Sequence, residues 1–195
     1  MPTGTALRDP REQLFEAAER ILLRSGAAAL TSRAVTDEAG VAKGVLHRHF
    51  PDFNGFLADL VLDRVARVRA QSETLRAAAG TATVAANVAD ALTTVLGPVA
   101  LGIVSLLIFR DDLRARLRAA RPKGLPILTD AAEMLAAYLT AERDRGRIAT
   151  GTDVPTMALT LIGTAHVVFA DGPPSAETVR HFVRATLGPA LTADE

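Results

Sequence analysis

The sequence contains no cysteine, so disulfides, thiolate metal sites and a cysteine nucleophile are excluded together. It also lacks an excess of either charge: 22 lysines and arginines balance 22 aspartates and glutamates. Such a chain is no polycation, and any attraction to a polyanion must come from local placement of charge. Lysine is scarce; Lys43 and Lys123 stand among arginines. No stretch sustains the period-two alternation of a half-buried strand. The first 24 residues carry charges among their apolar positions, unlike a signal peptide, and a cytoplasmic protein is expected. What is present is a globular balance, 49% hydrophobic and 23% charged over 195 residues, enough for a sizeable core.

Long uninterrupted apolar runs are also missing. Ala91 to Phe109 is uncharged and followed by Arg110, Arg114, Arg116, Arg118 and Arg121, which resembles a spanning segment with a positive flank. Gly97-Pro98 interrupts it, and its unbroken apolar part, Val99 to Phe109, falls short of the ~20 residues a span needs. Val154 to Ala170 is uncharged but holds Pro155, Gly163 and His166. Both stretches read as helices buried on several sides, and no membrane partner is expected.

The apolar spacing is helical throughout. Asp9-Pro10-Arg11-Glu12 is a helix start, with Asp9 as cap and proline in the first turn. Leu14, Ala18, Ile21 and Leu22 then share a face, and Gly26 ends the helix. A short helix is predicted over 32–39, closed by Gly40, and another over about 43–49, closed by Phe50-Pro51. From Asp52 a longer helix carries Phe56, Leu57, Leu60, Val61, Val65 and Val68 on one stripe. The small, polar stretch 77–83 separates it from helices predicted over 84–96, 98–120, 125–145, 154–171 and 176–187. The expected fold is all-α: an N-terminal three-helix unit over 1–52 and a helical bundle over 53–195.

Function is concentrated in residues 31–50. Two short helices joined by a glycine-containing turn form the helix-turn-helix plan. Ala39 is small enough for a close helix crossing, Gly40 permits the sharp turn, and Val41 fills the gap between the helices. Leu46 and Phe50, four apart, point back toward Val35 and Ile21, leaving Lys43, Gly44, His47, Arg48 and His49 outward. A helix so placed fits the major groove of duplex DNA.

This segment resembles the N-terminal domain of the TetR (tetracycline-repressor-like) family, whose pattern reads T-x-R-x-I-A-x-x-A-G-V-S-K-G-T-L-Y-x-H/Y-F. Thr31, Arg33, Ala39, Gly40, Val41, Lys43, Gly44, Leu46, His49 and Phe50 agree with it, within a match over about 10–65. The resemblance implies a transcriptional regulator whose DNA contacts come from Thr31, Ser32, Arg33, Ala42, Lys43, Gly44, Val45, His47, Arg48 and His49. In it, Thr31 and Arg33 hold phosphates at a positive helix end. Lys43 and Arg48 supply charge, and Gly44 allows close approach. The sequence departs from the pattern in several places. Ala42 replaces a serine and leaves the second helix without a side-chain cap, a loss of ~0.5–2 kcal/mol elsewhere. Val45 replaces threonine, His47 replaces tyrosine, Thr36 replaces alanine, and Phe53 stands where a lysine often meets phosphate.

Blander alternatives exist for each group. A lone Lys43 or Arg48 is ordinarily a solvated charge, and only the helix-turn-helix frame favours DNA. His47 and His49 are two apart and face different ways on a helix. No metal and no cofactor are expected. The arginines between 110 and 121 read as a solvated helix face. Candidate pocket residues for an unknown small-molecule ligand are Ile103, Leu106, Phe109, Met134, Tyr138, Ile162 and His166, the last being either a core histidine or a pocket polar group. Residues 154–169 are apolar nearly all round, which predicts burial against a second subunit as well as its own. The candidate dimer interface is Val154, Ala158, Leu161, Ala165 and Val168 with Val179, Phe182, Val183 and Leu187, forming a four-helix contact.

The expected function is a DNA-binding homodimer on a palindromic operator, a repressor relieved by its ligand. A regulator without an effector and a membrane-tethered regulator are alternatives. An enzyme is not expected, because no Ser-His-acid set, phosphate loop or metal-ligand cluster is recognisable.

Overall fold

A computed structural model describes residues 9–120 and 124–192. Ten α-helices make up the described chain: α1 (Pro10–Ser25), α2 (Ser32–Ala39), α3 (Gly44–His49), α4 (Phe53–Ala77), α5 (Val84–Val95), α6 (Pro98–Phe109), α7 (Asp111–Ala120), α8 (Leu128–Asp144), α9 (Val154–Phe169) and α10 (Ala176–Leu187). The expected all-α architecture is found. Most starts have a local cause: Asp9, Thr31, Asp52, Thr83, Asp153 and Ser175 each accept a backbone N–H of the first turn. Pro10, Pro98 and Pro155 occupy first turns, where a missing N–H costs nothing.

α1, α2 and α3 form the head, and the first turns of α4 complete its core. Phe50 packs edge-on against Phe56 at 5.1 Å, Phe15 lies 5.9 Å from Phe50 and 5.7 Å from Phe56, and Phe53 stacks on Phe56 at 5.7 Å. Such pairs contribute about 0.5–1.5 kcal/mol each beyond burial. α4 then runs on into the body, where it packs on α8; α8 packs on α9, and α10 closes against α5 and α9. The phenol of buried Tyr138 accepts from Asn87 Nδ2 at 3.0 Å, and the fully buried Glu142 accepts from Gly80 N–H and from Arg147 at 3.0 Å. This network fastens the 78–83 connection to α8. Burial and the Glu142 carboxylate push the Tyr138 phenol well above its ordinary value.

The single helix expected over 98–120 is two. Arg110 leaves the helical region at φ −118° and ψ 95°. Its guanidinium lies over the Phe53 ring at 5.7 Å and reaches Asn54 Oδ1 at 3.5 Å. The break is accompanied by this contact with the start of α4, and α7 opens with Asp111 and Asp112 in its first turn. The uncharged run 91–109 is likewise divided: α5 and α6 meet at 61°, with Leu92, Val95, Ile103, Val104 and Leu107 buried in the core. Among the described residues no single helix is long and apolar enough to cross a membrane.

The expected face of the last two helices is inverted. Val154, Ala158, Leu161, Ala165, Val179, Val183 and Leu187 are at most 2% exposed and Phe182 is 9% exposed within one chain; Val168 is half-buried. These residues are the core stripe of their own subunit. Through this stripe α9 packs on α8 and α10 on α5. The side left outward carries Leu159, 62% exposed, Val167, 72% exposed, and Gly163 between them.

Candidate nucleic-acid interface

The turn between α2 and α3 is built by backbone geometry. Gly40 takes the left-handed conformation (φ 67°, ψ 30°), which costs a residue with a Cβ about 1–2 kcal/mol. Its N–H bonds to the Asp37 carbonyl at 3.2 Å and the next N–H, of Val41, to the Thr36 carbonyl at 3.0 Å. That pair of bonds is the Schellman closure of a helix. Val41 packs half-buried on the core, as its position in the pattern predicts. Thr36 is buried where alanine is usual, and its hydroxyl is satisfied by the Ser32 and Arg33 carbonyls at 3.2 and 3.1 Å.

α3 is held by Leu46, fully buried, and Phe50, 2% exposed. Lys43, Gly44, His47 and Arg48 are exposed around it, and His49 is half-buried. Lys43 and Arg48 make no ion pair among the described residues. α3 starts without a side-chain cap, consistent with the alanine at position 42. Val45 is half-buried and packs on the core, so only part of its side chain faces outward. On α2, Thr31 and Arg33 are exposed and Ser32 half-buried; Thr31 Oγ1 caps Ala34 N–H at 3.1 Å, and Arg33 is loosely paired with Asp37 at 3.5 Å. The N-terminal end of α2 and the exposed side of α3 thus carry Arg33, Lys43 and Arg48 with short polar side chains. Phe53, by contrast, belongs to the aromatic cluster beneath Arg110.

Several residues that orient this surface have no signature in the sequence. Arg11 of α1 donates to the His49 carbonyl at 3.1 Å and to Asp59 at 2.6 Å, with its guanidinium 4.4 Å over the Phe50 ring. One side chain thereby joins α1, the end of α3 and α4. Gln13 donates to the Ala39 carbonyl at 2.7 Å, fixing the end of α2. Glu38 receives Arg20 and Arg24, both at 2.8 Å, and these hydrogen bonds, Arg20 first, hold its carboxyl below the ordinary 4.5. Nothing in residue type or spacing separates these from solvated charges.

The candidate pocket residues do not assemble. Ile103, Leu106, Met134, Tyr138 and Ile162 are buried, and His166 is half-buried with a buried Nδ1 that has no hydrogen-bond partner. Phe109 is 83% exposed, because α6 ends there and the chain turns back toward the head. A pocket of about 270 Å³ does lie between α6, α7 and the approach to α8, but none of these residues lines it.

A head of three short helices with a glycine turn, carried on a helical body, is a helix-turn-helix architecture. Residues 14–59 match the family model of "Bacterial regulatory proteins, tetR family". Among solved structures, a TetR-family transcriptional regulator of Mesorhizobium loti is 19% identical with a TM-score of 0.67, covering 97% of this chain and 100% of that one. A gamma-butyrolactone receptor (ArpA-like protein) is 18% identical with a TM-score of 0.65, covering 95% and 89%. NalD of Pseudomonas aeruginosa, the secondary repressor of the MexAB-OprM multidrug efflux pump, is 16% identical with a TM-score of 0.62, covering 95% and 97%. No curated protein sequence matches the chain. Residues 14–59 thus carry the helix-turn-helix pattern of the tetR family of bacterial regulatory proteins, and the chain as a whole shares the fold of these solved structures.

Proposed function

We propose that the protein is a homodimeric repressor whose hold on a palindromic operator is released by a small-molecule ligand. The observation that carries it is the pairing of an exposed α3, bearing Lys43, His47 and Arg48, with the capped start of α2, bearing Thr31, Ser32 and Arg33. The two helix starts and the exposed Arg33, Lys43 and Arg48 suit phosphates flanking a major groove. Within this reading the head, with the start of α4, holds DNA, and the helices beyond it bind ligand and partner. The similarity to NalD, a repressor, and to a gamma-butyrolactone receptor supports both repression and ligand response.

Dimerisation is supported by the outward side of α9. Leu159, Gly163 and Val167 recur every four residues there and are exposed in one chain. An apolar helix stripe open to water favours a partner, and a second copy gives the two-fold arrangement a palindrome requires. A ligand acts by preferring the conformation that does not fit DNA; equal affinity for both shifts nothing.

The test is fluorescence anisotropy of the full chain on DNA from upstream of its own gene, against scrambled DNA of equal length. Sequence-selective binding by a dimer is expected. Equal binding to both DNAs would remove the proposal.

A further inference from the structure

The approach to α8, together with α6 and α7, encloses a pocket of about 270 Å³ whose floor is apolar, from Leu107, Leu117, Leu125 and Pro126. Its polar lining is cationic. Arg114 is anchored by its terminal nitrogens, one donating to the Ile108 carbonyl at 2.9 Å and the other to Asp111. Its Nε is buried with no hydrogen-bond partner. A buried N–H left unmet is costly. Arg118, one turn on, is exposed and has no ion pair among the described residues. Among the described residues no carboxylate lines the pocket.

The wall opposite holds two residues at positive φ. Gly124 has φ 71°, and a Cβ there would meet Thr129 Oγ1, so the chain cannot relax by substitution at that point. Ile127, fully buried, has φ 74°, an outlying conformation for a β-branched residue that persists only when its surroundings enforce it. Its N–H bonds to the Asp130 carboxylate at 3.4 Å, and Asp130 faces Arg69 of α4 at 3.5 Å. On the other side, α7 is tied to the first turn of α4: Asp112 accepts from Asn54 at 2.7 Å, and Arg116 meets Asp52 at 3.1 Å. Both walls are therefore fastened to α4, the helix that follows the recognition element.

The geometry points to this pocket as the effector site, and to a small carboxylic acid with an apolar body as its ligand. Guanidinium groups match a carboxylate in shape and charge, and the leucine floor excludes a bare inorganic anion. The volume is just under the ~300–1,000 Å³ of drug-sized pockets, which restricts the acid to a single ring or a short chain. Its carboxylate pairs with Arg118 beside the Arg114 guanidinium, moving α7 and with it the contacts at Asp52 and Asn54. This inference rests on the ligand-responsive reading above and names the site and class of that ligand.

The experiment is isothermal titration calorimetry of the full-length protein with benzoate, phenylacetate and hexanoate, against benzamide and inorganic phosphate. The carboxylates are expected to bind and the two controls not to. Arg118→Ala, at an exposed position that should leave the melting temperature unchanged, weakens carboxylate binding by about ten- to a hundredfold. No heat with any of the three acids, equal binding of benzamide, or full affinity in Arg118→Ala each overturns the site. DNA anisotropy run in parallel separates the two proposals. Selective DNA binding without carboxylate binding sinks the pocket alone, and carboxylate binding through Arg118 without selective DNA binding sinks the regulator alone.

Discussion

Lys43 and Arg48 stand exposed and unpaired on the same short helix, and their value to DNA binding is separable from folding. Lys43→Ala and Arg48→Ala are expected to leave the melting temperature unchanged and weaken DNA binding. If each meets a phosphate, the slope of log affinity against log salt falls by about 0.9 per substitution. Anisotropy titrations at several salt concentrations measure this; unchanged affinity in both variants would remove α3 from the interface. Glu38 is a second residue with a clear test. Its two arginine partners hold its folded carboxyl below 4.5, so its contribution is present above that pH. It is lost as pH falls through the lower folded value, because the unfolded chain takes up the proton first. Urea midpoints followed from pH 6 down to about pH 3 should therefore drop less steeply in Glu38→Gln than in the parent. Identical slopes would assign the acid sensitivity elsewhere, for instance to Asp52, which the Gly55 N–H and Arg116 hold low in the same way.

At the level of elements, the head meets the body through α6 on α1 and α7 on α4. Gly102 makes the first contact possible: a Cβ there would sit 3.3 Å from Leu22 Cβ. Gly102→Leu forces the two helices apart and should cost about 1–3 kcal/mol, read from urea denaturation. An unchanged midpoint would mean that α6 has room the packing does not suggest. Helix starts, stops and core stripes could be read from residue order because caps, prolines, glycines and apolar spacing act within a few residues of one another. Leu14, Ala18, Ile21 and Leu22 of α1 are all buried as their spacing requires. The break at Arg110 was not read, and the partners its side chain meets there, Phe53 and Asn54, lie more than fifty positions earlier.

For the molecule as a whole, the proposed assembly turns on the outward side of α9. Leu159→Asp with Val167→Asp places two charges on the proposed two-fold contact while leaving the buried stripe of Val154, Ala158, Leu161 and Ala165 untouched. Sedimentation should then give a monomer with normal helical content and DNA binding weakened to that of a single head. A double variant that remains dimeric, or a parent that is monomeric at micromolar concentration, would reject this surface. The apolar abundance of α9 was plain in the residues; which of its two stripes would be covered by the same chain was not.

Local chemistry is written into the order of residues. The Thr31 cap, the Gly40 turn, the Leu46 and Phe50 anchors and the outward cations follow from neighbours no more than a few positions apart, so the helix-turn-helix was legible before any coordinates. Contacts between distant segments are another matter. Arg11 over Phe50, Glu38 between two arginines, Tyr138 bonded to Asn87, and a pocket on α7 instead of around Ile103 all depend on how helices dock. An arginine or an apolar stripe looks the same in sequence whether it meets solvent, its own core or a second subunit, and packing alone distinguishes them.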